Sequence, residues 1–143
     1  KREVFTMNNG TKLAPIICYE SVYGEYVSEY VRNGAQFLAI ITNDGWWSES
    51  QGYKQHLSYA KIRSIETRRS IARSANTGSS AIINKKGEII DKLEYNERGV
   101  LNGKIGLSNE LTFYVKYGDI TFRFSLFFFL IIFLFSISKK KNY

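Results

Sequence analysis

Apolar residues in this chain fall into short blocks separated by polar turns, and the period changes from block to block. Leu13-Ala14-Pro15-Ile16-Ile17 is an apolar run that stops at Cys18, with Glu20 two positions further on. It predicts a buried strand over 13–18 that delivers a thiol to a sheet edge. Pro15 cannot donate to a sheet ladder, so it suits an edge, a strand start or a bulge. From Tyr23 the period lengthens. Tyr23, Tyr26, Val27, Tyr30 and Val31 recur at helical spacing on one face, predicting a helix over 21–33. Ser21 is expected to cap its start and Gly34 to close its end. Phe37 to Thr42 is a continuous apolar, β-branched run, which predicts a strand buried on both faces. Strand, helix and strand in succession make a βαβ unit with a parallel pair.

The remaining blocks extend this unit. Asn8-Asn9-Gly10 is a turn signal that can fold residues 1–12 back as a hairpin. After a polar loop over 48–53, a helix is expected over 54–69, with His56 in its first turn as a local hydrogen-bonder rather than a base. Arg63, Glu66, Arg69 and Arg73 are spaced for a single structural charge network. Strands are expected over 70–74, 79–83 and 88–93. The last two flank Asn84-Lys85-Lys86-Gly87, a hairpin loop with glycine placed for positive φ. A final strand is expected over 100–105. Antiparallel strands after a βαβ unit indicate a mixed sheet in a layered α/β domain over residues 1–118.

At Ile120 the pattern changes again. Ile120 to Ile137 is apolar except for Thr121, Arg123, Ser125 and Ser136. At about 1.5 Å per residue it is roughly 27 Å long as a helix, enough for a hydrocarbon core. Lys139-Lys140-Lys141 follows at once. Basic residues stay on the cytoplasmic side, so residues 119–143 are expected to form a transmembrane helix with a cytoplasmic tail, and residues 1–118 to lie across the membrane. The competing reading is a buried core helix with a solvated tail. Charge supports the membrane: of the net +7, the balance is +4 over residues 1–118 and +3 over the short tail. That distribution fits a membrane flank better than a nucleic-acid face.

One cysteine excludes an internal disulfide, and one Cys with one His makes no zinc constellation. Lys1-Arg2-Glu3 opens directly into a polar segment, so no signal peptide is expected there. With no initiator Met, the chain is expected to be a piece whose upstream part is missing.

Cys18 has two readings. It is a buried structural thiol behaving as a small hydrophobe, or a nucleophile at a strand-to-helix turn. In parallel sheets, sites form beyond the carboxyl ends of the strands. Both Cys18-Tyr19-Glu20 and Asn43-Asp44-Gly45-Trp46-Trp47 stand at such ends, so two strands direct polar terminations to one place.

Taken in order, Ile17-Cys18-Tyr19-Glu20, Ile41-Thr42-Asn43-Asp44-Gly45-Trp46, Gln55-His56 and Arg63-x-x-Glu66-x-x-Arg69-x-x-x-Arg73-x-x-Asn76-x-Gly78 resemble the apolipoprotein N-acyltransferase family. The likeness runs from about residue 10 to 123 and includes Tyr114-x-x-Tyr117-Gly118-Asp119. The family carries a nitrilase-like (carbon–nitrogen hydrolase) domain on a membrane bundle. The resemblance implies an α-β-β-α layered fold with a mixed sheet, of which residues 1–118 are the C-terminal part. It also implies a Glu-Lys-Cys triad in which Cys18 is the nucleophile. The Glu and Lys are expected upstream of Lys1, so this chain alone is expected to be inactive.

On the same resemblance, the backbone N–H of Tyr19 shares the oxyanion with the lysine. Glu20 orients the lysine or the incoming amine, or holds the turn. Asn43, Trp46 and Trp47 are the expected substrate-binding residues, with the tryptophans either lining the acyl entrance or packing in the core. No metal and no cofactor is implied. The implied partners are a membrane phospholipid as acyl donor and an apolipoprotein as acceptor, at a bacterial inner membrane with the catalytic domain on the periplasmic side. Two rivals share parts of the pattern: a membrane-anchored nitrilase-type amidase, and a non-catalytic membrane-anchored interaction domain with a basic face.

Overall fold

The computed structural model describes residues 2–140, with side chains through Ser138. The side chains of Lys139 and Lys140, with Lys1 and Lys141–Tyr143, lie outside the described residues, and so does the basic tail expected from the sequence. Phe5–Thr6 (β1) and Lys12–Ile17 (β2) form the hairpin that Asn8-Asn9-Gly10 predicts. Gly10 takes φ +80 in the turn, a region open to glycine without penalty. The six strands run in the spatial order β1 to β6, completed by Phe37–Thr42 (β3), Ile71–Ala75 (β4), Ser80–Ile83 (β5) and Ile89–Leu93 (β6). The pairs β2–β3 and β3–β4 are parallel; β1–β2, β4–β5 and β5–β6 are antiparallel. Pro15 is tolerated because β1 pairs only with Lys12 and Leu13, so the missing donor at Pro15 interrupts no described ladder.

Strand alternation sends Ala14, Ile16, Leu38, Ile40, Ile71, Ala81 and Ile83 to one face, where all are fully buried. Gly24–Arg32 (α1) and Gln51–Thr67 (α2) cover that face. α1 contributes Val27, Tyr30 and Val31, and α2 contributes Leu57 and Ala60. The helix end is as expected. Gly34 at φ +98 donates to Val31 O, and Ala35 donates to Tyr30 O, the paired bonds of a Schellman closure.

The helix start differs from expectation. Cys18–Val22 winds into a single 3-10 turn, and α1 begins only at Gly24 with Tyr23 as an N-cap that offers no side-chain bond. Ser21 does not cap the helix because its hydroxyl closes the 3-10 turn onto Cys18 O (2.8 Å).

Three further expectations are corrected. β3 is buried on one face only: Ile41 is 57 % exposed, because the second face of the sheet carries no helix among the described residues. Residues 100–105 form no strand. Gly103 interrupts this stretch, with Gly99 and Gly106 at its two ends, and a strand interior is weakened by glycine. The segment passes over the second face instead, with Gly103 seated against Ile82. Nor is the charge network one network. α2 ends at Thr67 with Arg68 in the left-handed region, which takes Arg69 and Arg73 off the helix face that holds Arg63 and Glu66. Arg63 pairs with Glu66 (3.2 Å). Buried Arg69 donates instead to the carbonyls of Ala35 (2.7 Å) and Glu110 (2.8 Å). Arg73 turns to Asp44.

The chain then returns to the helical layer. Phe113–Tyr117 (α3) is capped by Thr112 and rooted by the fully buried Val115, whose carbonyl accepts from Arg32 (2.7 Å). Ile120–Lys140 (α4) follows after Gly118 and Asp119. Its foot is held by Glu25 of α1, which accepts from Asp119 N (3.1 Å) and from Arg123 (2.9 Å). Over Ile120–Ser138 the helix is long and apolar enough to cross a membrane, and none of it is buried.

Candidate active site

β2 and β3 run parallel with Ile17 opposite Ile41, so their C-terminal ends place Cys18 beside Thr42. Cys18 itself is half-buried and has φ +51. A residue with a Cβ in that region carries about 1–2 kcal/mol of strain, and such strain collects at functional sites. Two contacts hold the turn around it. Glu20 accepts from Ile17 N (2.9 Å) with one carboxylate oxygen and from the Tyr26 hydroxyl with the other. The bond to Glu20, with burial second, raises the Tyr26 hydroxyl above the ordinary phenol range. Glu20 is therefore engaged in the turn.

The thiol faces a buried polar cluster. Thr42 Oγ1 lies 3.3 Å from Cys18 Sγ and 3.0 Å from Asp44 Oδ1. Thr42 has one hydroxyl hydrogen for these two acceptors, and the carboxylate is the stronger. Asp44 is 0 % exposed. Its Oδ1 also accepts from His56 Nδ1 (2.9 Å), and its Oδ2 accepts from Arg73 (2.7 Å). Burial alone would push the Asp44 carboxyl up. The hydrogen bonds from His56 and Arg73, with the Arg73 charge, outweigh it and hold the group below the usual aspartate range. Arg73 donates its other terminal nitrogen to Ser79 O. His56, on α2, points Nε2 at Ser21 Oγ (3.0 Å) and Cys18 O (3.2 Å). Five elements thus converge: the ends of β2 and β3, the loop after β3, α2 and β4.

Gly78 lies against this cluster with no room for a side chain. A methyl group there would overlap the Asp44 carboxylate and approach its Cβ within 2.5 Å. Gly78→Ala is expected to destabilise the protein by about 1–3 kcal/mol, read as a lowered thermal midpoint. An unchanged midpoint would show that Asp44 can move.

The site residues expected from the sequence fall at different distances from the sulfur. Tyr19 is exposed, its ring 6.4 Å from Trp47 and 6.1 Å from His56. Trp47 is half-buried and meets the His56 ring edge-on at 5.3 Å. Together Tyr19, Trp47, His56, Gln55, Gly52 and Tyr59 line a small recess of about 110 Å³. Trp46 is 82 % exposed and packs in no core. Asn43 is exposed and uses Oδ1 to accept from Gly45 N (3.1 Å), shaping the loop. A larger recess, about 520 Å³, lies on the sheet's second face between Ile41, Ser74 and the 99–103 segment, away from the thiol.

Ser21, Thr42, Asp44, His56 and Arg73 build this site, and no periodicity singles them out. The available signal was local: Asp44 stands two residues past the end of an apolar strand, and His56 is the only histidine. Among the described residues no group of His, Cys, Asp and Glu is arranged to hold a metal ion.

A profile of the carbon–nitrogen hydrolase family matches residues 1–110. The chain is 40 % identical over 118 residues to the apolipoprotein N-acyltransferase of Chlorobaculum tepidum, covering 81 % of this chain and 22 % of that protein. It is 34 % identical over 123 residues to the apolipoprotein N-acyltransferase of Thermotoga maritima, covering 86 % and 24 %. The chain therefore spans under a quarter of the length of these relatives. Among solved structures, a carbon–nitrogen hydrolase from Helicobacter pylori superposes with a TM-score of 0.61 at 16 % identity, over 68 % of this chain and 41 % of that one. At that identity the likeness is one of fold.

Proposed function

The chain belongs to the carbon–nitrogen hydrolase family, and from that membership we propose that Cys18 is the nucleophile of a membrane acyltransferase. The observation that carries this reading is the placement of Cys18. It stands half-buried at the end of β2, in a left-handed turn, beside Thr42 and above the Asp44–His56–Arg73 cluster. The identity to apolipoprotein N-acyltransferases supports the choice of acyl donor and acceptor.

The chemistry runs in two halves. A general base takes the thiol proton, because the thiolate is the reactive species. The sulfur attacks the ester carbonyl of a phospholipid. The tetrahedral oxyanion is met by backbone N–H of Tyr19, a donor aimed at charge that develops only in the transition state. The ester C–O bond breaks, and a protonated lysophospholipid leaves behind a thioester on Cys18. The free α-amine of a diacylglyceryl-cysteine on an apolipoprotein then attacks the thioester carbonyl. The C–S bond breaks, the thiolate returns and the amine nitrogen loses a proton, leaving an amide. One nucleophile serving two substrates in turn gives ping-pong kinetics. The base and the lysine of the family's triad are assigned to no residue of this chain. Glu20 supports the reaction by fixing the turn. Asn43 shapes the loop that carries Trp46 and Trp47, and the exposed Trp46, with the half-buried Trp47 beside it, faces the acyl chain at the interface, where this residue type is at home.

Both substrates are lipids, and α4 holds the domain to the bilayer they occupy. The proposed location is a bacterial inner membrane, with the catalytic domain periplasmic and the C-terminal tail cytoplasmic.

The test is to supply the full-length protein, reconstituted in bilayers, with phospholipid carrying an isotope-labelled fatty acid. Mass spectrometry of the Cys18 peptide is expected to show that fatty acid in a hydroxylamine-labile thioester. It should disappear on addition of a lipoprotein acceptor. A labelled acyl group on another residue, or none on Cys18, overturns the reading.

A further inference from the structure

The buried cluster reaches Cys18 by a route that does not pass through the sulfur. The Cys18 carbonyl oxygen accepts from Ser21 Oγ at 2.8 Å and lies 3.2 Å from His56 Nε2. Ser21 Oγ and His56 Nε2 are themselves 3.0 Å apart. Ser21 directs its single hydrogen to the carbonyl, so Nε2 faces two oxygen acceptors. The other ring nitrogen faces the Asp44 carboxylate at 2.9 Å. A hydrogen on Nε2 serves the Cys18 carbonyl. Asp44 is fixed in turn by Arg73 and Thr42.

The carbonyl held in this way belongs to the Cys18–Tyr19 peptide. A peptide unit is planar and trans, so its C=O and N–H point in opposite directions. Fixing Cys18 O toward Ser21 and His56 therefore fixes Tyr19 N–H toward the opposite side. Without that grip the unit is held only by the backbone of its 3-10 turn, and the φ of +51 at Cys18 favours relaxation.

We infer that His56 is a positioning residue: with Ser21 it clamps the Cys18 carbonyl and so aims the Tyr19 N–H at the oxyanion. This rests on the reading of Cys18 as an acyl-accepting nucleophile and adds a role for the Asp44–His56 pair in it. The clamp acts on the transition state of acylation. It does not act on the nucleophilicity of the sulfur, which His56 does not touch.

That distinction supplies the test. Iodoacetamide alkylates a thiol without forming an oxyanion, whereas acylation by an ester requires one. Both rates are measured on the full-length protein, with phospholipid and with a p-nitrophenyl ester as acyl donors. Glutamine can place an amide N–H near the position of Nε2, and asparagine near that of Nδ1. His56→Asn keeps the Asp44 contact and loses the carbonyl clamp. It is expected to lower the acylation kcat about a hundredfold with KM little changed, while Cys18 alkylation is retained. His56→Gln is expected to recover much of the acylation rate. Ser21→Ala, which removes only one of the two contacts on the carbonyl, gives the same split at smaller size and serves where His56→Asn fails to fold.

Alkylation and acylation falling together, or acylation untouched in both His56→Asn and Ser21→Ala, overturns the inference. A wild type acylated by the aryl ester but not by phospholipid removes the lipid reading and leaves the clamp to be judged on the aryl ester. A wild type inert to both esters overturns the two together.

Discussion

Cys18→Ser in the full-length protein is expected to lower acyl transfer by at least about a thousandfold while leaving the fold intact. Serine keeps the Cβ, so the left-handed turn at φ +51 is no more strained than before. It keeps a polar atom near Thr42 and leaves the Asp44 cluster untouched. What it loses is acidity, since a hydroxyl at this position ionises far less readily than a thiol and is a poor nucleophile without strong activation. The measurement pairs labelled-fatty-acid incorporation with a thermal midpoint, which should move little. Persistent acylation in Cys18→Ser would transfer the nucleophile to another residue. A collapsed midpoint would make Cys18 a structural thiol, the other reading its sequence allows.

The second large effect falls on stability. Asp44→Ala leaves the buried Arg73 guanidinium without its carboxylate and takes a partner from Thr42 and His56. Breaking a buried pair by removing one side costs about 3–5 kcal/mol, against a typical domain stability of about 5–15 kcal/mol. A large share of the folding free energy is thus expected to be lost, read from urea unfolding followed by the fluorescence of Trp46 and Trp47. Asp44→Asn keeps the volume and one acceptor and should fall between the wild type and alanine. The pH dependence carries a sign. The folded carboxyl ionises below its unfolded value, so its contribution is present above the unfolded value and is lost as pH falls through the folded one. The wild type should therefore weaken toward acid, and Asp44→Asn should weaken less. A parallel acid limb in both proteins would place the ionisation elsewhere.

Where period and turn chemistry agreed, the chain could be read directly. β3 at Phe37–Thr42 was legible to the residue, because an apolar β-branched run bounded by Gln36 and Asn43 has few alternatives. The Asn84–Gly87 hairpin and the glycine closing α1 were legible for the same reason. Failure came where one side chain had two possible partners. Ser21 is a good cap by type, but a carbonyl one turn back competed for its hydroxyl. Arg69 and Arg73 match helical spacing to Glu66, yet the left-handed Arg68 ends the helix between them. The centre of the site was hidden for a related reason. Asp44, His56 and Arg73 come from a loop, a helix and a strand, and only tertiary contact tells a buried aspartate from a surface one.

The rooted α3 and the grip of Glu25 on Asp119 and Arg123 bear on reach. Glu25 belongs to the first turn of the helix that follows Cys18, so the Cys18 turn and the base of α4 are joined through one helix. On the proposed reading of Cys18 as the acyl-accepting nucleophile and α4 as a membrane helix, the sulfur has a set elevation over the lipid headgroups. On that proposal each ester bond climbs to that height, and lipids differ in how far they can be drawn out of the leaflet.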